Sequence, residues 1–394
     1  MSTTPIARDL AGVTTARHLT EDQQALADAV ADFCEGEAGS REQREALTKG
    51  RTTLHNDALY RQMAELGYVG ASLPEAYGGS GGGVVDLCTL LEETTYGRAP
   101  IEGVAVTMIV AGAYERFGTE EQKTDVLNRI AEGDVFAIAM SEPGSGSDVA
   151  SMRMKIEVEG DELVLNGHKT WITCAGHATD ILVIGRSFTG DRKHDGLTMA
   201  LVPTNSPGLE IRNISTMGGD EQCDVFFTDV RLPKAQVLGE VGAGWGQLVA
   251  GLNVERLIIG AVMLGLARRA FDDALAYVRE REQFGKKIGS FQAMKHKVAD
   301  LATELRCCEL LVYEVARTID EDPSRLLPRE ASMAKLKVTE VVKRVALEGM
   351  QMMGGYGYAT EYDMEAYLRQ AVVSTIYGGT NEIQRDIIGM TYGL

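Results

Sequence analysis

The sequence predicts an α+β multidomain protein built in the order helical, β, helical. Three observations carry this. Apolar residues recur at helical spacing behind Thr20, short period-two or wholly apolar runs fill 135–233, and long helical periods return after Gly246. The segments expected are a flexible N-terminal arm over 1–18, an N-terminal α-helical domain over 19–133, a middle β domain over 134–238 and a C-terminal helical bundle domain over 239–394.

Thr20, followed by Glu21 and Asp22, has the form of an N-cap with acidic residues in the first turn, and Leu26, Val30 and Phe33 then lie on one helical face. The arm before it, rich in Thr and Ala, shows no period. Breaks in the first helical domain fall where Gly and Pro cluster, at 73–81 and 117–122. In the middle domain, strands are expected at Phe136–Met140, Glu162–Leu165, Asp180–Ile184, Leu197–Val202 and Val225–Phe227, and the pair Asn166-Gly167 predicts a hairpin turn. The helical periods 248–281, 290–319 and 328–353 are long with short connections, which favours antiparallel packing as in a four-helix bundle.

Composition narrows the function. Hydrophobic residues are 44% and charged residues 24%, the usage of a soluble globular chain. A net charge of −18 disfavours a nucleic-acid partner, since phosphate binding needs clustered cations. The six cysteines form no C-x-x-C pair and are expected as free thiols; no metal site is expected. Without an apolar run near the roughly 20 residues of a span, or a signal-peptide layout, the expected location is the cytoplasm, with no membrane contact.

Two segments offer binding chemistry. Met140-Ser141-Glu142-Pro143-Gly144-Ser145-Gly146-Ser147 follows a strand and supplies hydroxyls, backbone N–H groups and close approach. Trp171-Ile172-Thr173 puts an indole two residues from a hydroxyl on one strand, on the same side. Alone, the first is more often a plain turn and a tryptophan is more often core.

Together, and in order, they resemble the acyl-CoA dehydrogenase family. Further stretches agree: Arg281 to Gln292 resembles the family's R-x-x-F-G…Q, Gln351-Met352-Met353-Gly354-Gly355 its glycine-rich helix end, and Ile376 to Ile383, with Gly378-Gly379-Thr380-Asn381-Glu382, its catalytic-loop ending. The resemblance runs from about Leu19 to Leu394. It implies FAD as cofactor, held by Met140, Ser141, Gly146, Ser147, Trp171, Ile172, Thr173, Thr380 and Glu382, with Arg281, Phe284, Gln292, Gln351, Gly354 and Gly355 on its ADP half, partly across a subunit boundary. A homotetramer is therefore expected. Substrate contacts are implied for Ser147, Asn253, Arg256, Gly378 and Gly379.

Removing an α-proton from a thioester needs a carboxylate in a dry pocket. Many members of the family place it just before the loop's Gly-Thr, where this chain has Gly378. Glu255, flanked by Leu252, Leu257, Ile258 and Ile259, resembles instead the isovaleryl-CoA and long-chain members, whose base sits on a helix. An adjacent Glu-Arg pair is ordinarily a solvated pair; the exchange of a carboxylate gained here for one lost at Gly378 favours catalysis. The resemblance then implies α,β-dehydrogenation of an acyl-CoA thioester to the trans-2-enoyl-CoA, Glu255 taking the α-proton and flavin N5 the hydride, with an electron-transfer flavoprotein or similar acceptor downstream.

Departures keep alternatives open. Met217 to Cys223 lacks the Arg and carries acidic residues where the family commonly has M-R-G-S and a following Thr, Asp363 replaces a usual Pro, and Gln370 a usual Asp. The acyl group can then ride on an acyl carrier protein rather than CoA. A flavin monooxygenase or oxidase on the same scaffold would not need Glu255, and a non-catalytic subunit would not need the FAD motifs.

Overall fold

The computed structural model describes residues 17–50 and 52–394. Most of the expected arm lies outside the described residues. Its end does not behave as an arm: Arg17 is buried and its guanidinium donates to Glu93.

The first helices are α1 (Glu21–Ala38), α2 (Arg41–Leu47), α3 (Asp57–Glu65), α4 (Val84–Tyr96), α5 (Gly103–Phe117) and α6 (Glu120–Ala131). Strands β1 (Phe136–Ala139), β2 (Lys155–Glu159), β3 (Glu162–Thr173), β4 (Asp180–Arg186), β5 (Leu197–Pro203), β6 (Leu209–Thr216), β7 (Gly219–Pro233) and β8 (Val237–Leu238) follow. Then come α7 (Gly244–Glu280), a small hairpin of β9 (Glu282–Gln283) and β10 (Lys286–Lys287), α8 (Gln292–Glu321), α9 (Pro328–Met353), α10 (Gly355–Tyr358), α11 (Met364–Val373) and α12 (Asn381–Met390). The expected order of helical, β and helical segments holds.

Caps start the helices where the sequence places them. Thr20 accepts from the Gln23 N–H while Gln23 Oε1 accepts from the Thr20 N–H, a reciprocal box that satisfies two donors, and Thr119 with Gln122 repeats it for α6.

Contacts divide the chain into two units. One consists of Arg44–Gly83 and Pro100–Val254. Its eight-stranded sheet has the order β6-β7-β3-β2-β4-β5-β8, with β1 parallel to β4. The central strands β4 and β5 are buried along nearly their whole length, as their unbroken apolar runs require. Helix α5 packs on β1 and on α6.

Asn166-Gly167 is not a turn. Strand β3 passes straight through it, with a register shift between Leu165 and Gly167 against β7, and the hairpin turn falls earlier, at Gly160-Asp161 between β2 and β3. The Asn166 side chain explains the change: its Oδ1 accepts from the Asp229 N–H and its Nδ2 donates to Asp229 Oδ1, both at 2.9 Å. A bulge needs the same permissive backbone as a turn.

The other unit contains Val84–Ala99 and Glu255–Leu394 together with the described residues up to Gln43. Helix α4 lies between α1 and α8, and α9 packs on α8, α11 and α12. Buried Glu92 on α4 accepts from Arg268 and from Tyr313, at 2.6 Å for the tyrosine, so α4 is held by charge as well as apolar packing. Asp363, one of the departures noted in the sequence, pairs with Arg98.

The membrane expectation needs one correction: α7 is long and apolar enough to cross a bilayer. Its most apolar window is 67% buried inside the protein, the signature of a core helix.

Candidate functional site

In the sheet unit, the segment after β1 forms a loop braced from below. Lys169 on β3 is fully buried, and its Nζ donates to the Met140 carbonyl at 2.8 Å and to Glu142 Oε1 at 3.0 Å. Glu142 also accepts the N–H groups of Arg153 and Met154 at 2.7 and 2.9 Å. Burial opposes its ionisation, but the Lys169 charge and these donors outweigh it and hold the carboxyl below its usual range. Burial pulls Lys169 down to about 8. The Thr170 N–H donates to the Ser141 carbonyl, which docks the loop on β3. Ser141, Gly146 and Ser147 lie on its outer part, and a Cβ on Gly144 or Gly146 would meet nothing within 4 Å.

Beside this loop, Trp171 is 59% exposed with φ +62°, a backbone that non-glycine residues seldom adopt, and it sits where β3 breaks register with β7 between Lys169 and Ile172. This exposure does not fit an ordinary core tryptophan, the bland reading of the residue taken alone. Ile172 points the other way and is buried, so only its main chain can meet a ligand. The Thr173 hydroxyl shares hydrogen bonds with Gln222 at 3.1 and 3.2 Å.

In the helical unit, Arg281, Gln351, Gly354 and Gly355 line one cavity of about 730 Å³ with Tyr277 and Tyr356. The Arg281 guanidinium lies 5.5 Å from the Tyr356 ring centroid. Phe284 and Gln292 are not among its lining residues. Phe284 is at the β9–β10 turn, 93% exposed with φ +53°, its ring edge-to-face with Phe291. Within this unit, an arginine in one cavity with a glycine pair fits the phosphate-bearing part of a cofactor such as FAD, and in the sheet unit the exposed indole of Trp171 offers a face to a flat ring.

The same unit holds Glu255 and the α11–α12 loop. Glu255 is 6% exposed, and burial raises its carboxyl to about 7 against the opposing charges of Arg256 and Lys335. A Cβ on Gly378 would lie 3.7 Å from its Oε1 and would collide with Ile259 Cδ1. The geometry brings Glu255 and Gly378 together, as the carboxylate exchange requires. Thr380 caps α12 by accepting the Ile383 N–H, and Glu382 is exposed in the first turn. Asn253 and Arg256 are buried on α7.

Glu142, Lys169, Lys335 and Gln384 were not singled out from the sequence. The available signal was a lysine at an inward strand position and another inside the apolar stripe of a helix. The acidic departure at Glu221 also has a partner set: it accepts the Leu54 N–H at 2.6 Å and lies 3.1 Å from His177 Nε2, while His177 Nδ1 is 2.9 Å from Asp57. The hydrogen bond to Glu221 raises the His177 pKa. His55 completes the group, but its Nδ1 accepts the Gly103 N–H, so its proton is on Nε2 and no lone pair faces Asp57.

Comparison with known proteins gives matches in all three parts of the chain: the acyl-CoA dehydrogenase N-terminal domain over residues 20–134, the middle domain over 137–230 and the C-terminal domain over 242–393. The probable acyl-CoA dehydrogenase YngJ of Bacillus subtilis is 36% identical, covering 94% of this chain and 97% of its own. Mitochondrial isovaleryl-CoA dehydrogenase of Pongo abelii is 32% identical, covering 95% and 89%. The crystal structure of an acyl-CoA dehydrogenase from Geobacillus kaustophilus superposes with a TM-score of 0.89 at 33% identity, covering 96% of this chain and 100% of that one.

Proposed function

This chain belongs to the acyl-CoA dehydrogenase family, FAD-dependent oxidoreductases acting on CH–CH bonds, and on that premise we propose that Glu255 is the base that removes the α-proton of its acyl-CoA thioester. The observation that carries this reading is the pairing of a buried, proton-avid Glu255 with a side-chain-free Gly378. A carboxyl poised near 7 accepts a proton efficiently at neutral pH without holding it too tightly to return it.

The residues divide the remaining work. The loop of Met140 to Ser147, with Trp171 and Thr173, holds the ring end of FAD, and Arg281, Gln351, Gly354 and Gly355 hold its phosphate end. When bound, FAD supplies the acceptor for the β-hydride. The N–H groups beside Gly378 orient the thioester carbonyl, which acidifies the α-carbon. Ile258 and Ile259, buried one turn along the same helix face from Glu255, keep water from the carboxylate. The product is the trans-2-enoyl thioester. A relative that is a subunit of a complex with an electron-transfer flavoprotein supports such a protein as the electron acceptor. A homotetramer is the proposed assembly.

Anaerobic mixing of the flavin-loaded protein with a panel of acyl-CoA esters, and with acyl carrier protein thioesters, tests the reading. Bleaching by at least one thioester is expected in the wild type and is lost in Glu255→Gln. Retained bleaching in that variant removes Glu255 from the role.

A further inference from the structure

Helix α9 buries Ala331, Lys335, Val338, Val342 and Val345 along one stripe, so an ammonium stands where the spacing calls for an aliphatic side chain. Lys335 is 0% exposed. Burying such a charge is costly unless partners surround it. The partners are specific. Lys335 Nζ donates to the Gly379 carbonyl at 2.9 Å and to Asn381 Oδ1 at 3.0 Å, and Thr339 Oγ1 donates to the same Oδ1 at 3.0 Å.

Gln384 Nε2 completes the clamp, donating to the carbonyls of Gly378 and Gly379 at 3.0 and 3.1 Å. Both carbonyls of the glycine pair are therefore held by the protein. Among the described residues neither N–H of the pair has a hydrogen-bond partner, and both glycines take left-handed backbone, φ +60° and +77°. The Gly378 carbonyl shares its peptide plane with the Gly379 N–H, so the Gln384 bond fixes that donor, and a loop with its carbonyls held and two donors unused is built to offer those donors to a ligand.

The charged groups around Lys335 are Glu382 in the first turn of α12, and Glu255 and Arg256 on α7. Burial lowers Lys335 to about 8 while Glu382 and Glu255 oppose the shift. Glu255 in turn has Arg256 and Lys335 as its cationic neighbours.

We propose that Lys335 is a positioning residue for the reaction: by holding the Gly379 carbonyl and Asn381 it anchors the end of the Gly378-Gly379 loop to α9, and with it the place of the glycine N–H groups, and its ammonium is a positive charge beside Glu255. The proposal rests on Glu255 being the base. Methionine keeps the apolar length of lysine and removes both effects; arginine keeps the charge and spoils the geometry.

The test follows Lys335→Met and Lys335→Arg by the pH dependence of kcat/KM and by infrared titration of the Glu255 carboxyl, its band assigned by comparison with Glu255→Gln. In Lys335→Met the acid limb and the carboxyl titration both move up by on the order of one pH unit, since an attracting charge is gone, and kcat falls on the order of 10–100-fold from the loosened loop. In Lys335→Arg the limb stays near its wild-type place while kcat falls. An unmoved limb and band in Lys335→Met overturns the proposal and leaves the reading of Glu255 intact. Full activity of Glu255→Gln overturns that reading instead, and the infrared titration still reports the charge of Lys335. Should Lys335→Met not fold, Lys335→Gln is read the same way. The unmodified enzyme also decides: its Glu255 carboxylate band shifts as a neighbour with a pKa of about 8 loses its proton, and a band that stays fixed through that range counts against the proposal.

Discussion

A side chain begun at Gly378 would start 3.7 Å from Oε1 of Glu255, so the loop glycine and the helix glutamate address the same volume from different backbone elements. Moving the carboxylate between them is therefore a direct test. Glu255→Gly is expected to be nearly inactive, and adding Gly378→Glu restores part of the activity. Restoration is incomplete for two stated reasons: Gly378 has φ +60°, which a glutamate adopts under strain, and the new Cβ collides with Ile259 Cδ1. Ile259→Val deletes that carbon at a cost of about 0.5–1.5 kcal/mol, so the triple variant recovers more kcat/KM than the double. Equal activity in the double variant and in Glu255→Gly, both folded and yellow, rejects the shared volume.

The pH dependence follows from the Glu255 carboxyl at about 7. The kcat/KM profile rises through that pH and levels above it. Stability runs the other way. A carboxyl raised from 4.5 in the unfolded chain binds its proton more tightly when folded, so its contribution is full below 4.5 and is lost as pH rises through about 7. Glu255→Gln avoids that loss, which by linkage reaches about 3 kcal/mol at most. Its Tm exceeds that of the wild type at pH 8 and approaches it at pH 5; the reverse order in differential scanning would contradict the buried-carboxyl assignment.

Lys169 is the support beneath the Met140 to Ser147 loop. Lys169→Met leaves the half-buried Glu142 without its cation, which is expected to cost about 1–3 kcal/mol and to speed FAD release during gel filtration. Adding Glu142→Gln recovers part of the stability, because the neutral amide removes the uncompensated charge and keeps an oxygen for one of the two N–H groups, Arg153 on Oε2 or Met154 on Oε1. Two losses that simply add would show that the pair is not coupled.

Arg281→Ala is expected to shed flavin faster than the wild type, which should carry one FAD per chain. Arg281→Lys falls between them, because a lysine keeps the charge but not the paired donors suited to a phosphate. Unchanged absorbance at the flavin band after dialysis in Arg281→Ala removes the cavity around Gln351 and Gly354 from the cofactor site.

Much of the candidate site was legible because it is encoded by local, contiguous signals. The cap at Thr20, the apolar periods of α7 to α9 and the glycine pairs at Gly354-Gly355 and Gly378-Gly379 rest on short local patterns, and such patterns survive without knowledge of what they touch, whereas the cap at Thr119 shows in the sequence only as a break. Lys169 and Lys335 were missed for the opposite reason. Their partners are Glu142 and Gly379, distant along the chain, and a lysine by itself signals an exposed position.

Sequence by itself determined the order of helices and strands and the presence of a glutamate on an apolar helix where the loop has lost one, since both depend on side-chain period and residue identity. Tertiary structure decided the rest. Asn166-Gly167 became a bulge and not a turn because Asp229 on the paired strand engages the asparagine, a partner that no local propensity contains. Arg17 became buried and not an arm because Glu93 stands opposite it. Glu255 acquired its raised pKa only where packing removed water from it, an effect strong enough to outweigh the opposing charges of Arg256 and Lys335. Periodicity specifies which face of an element is apolar; which distant charge meets a polar side chain on that face is set only when the elements pack.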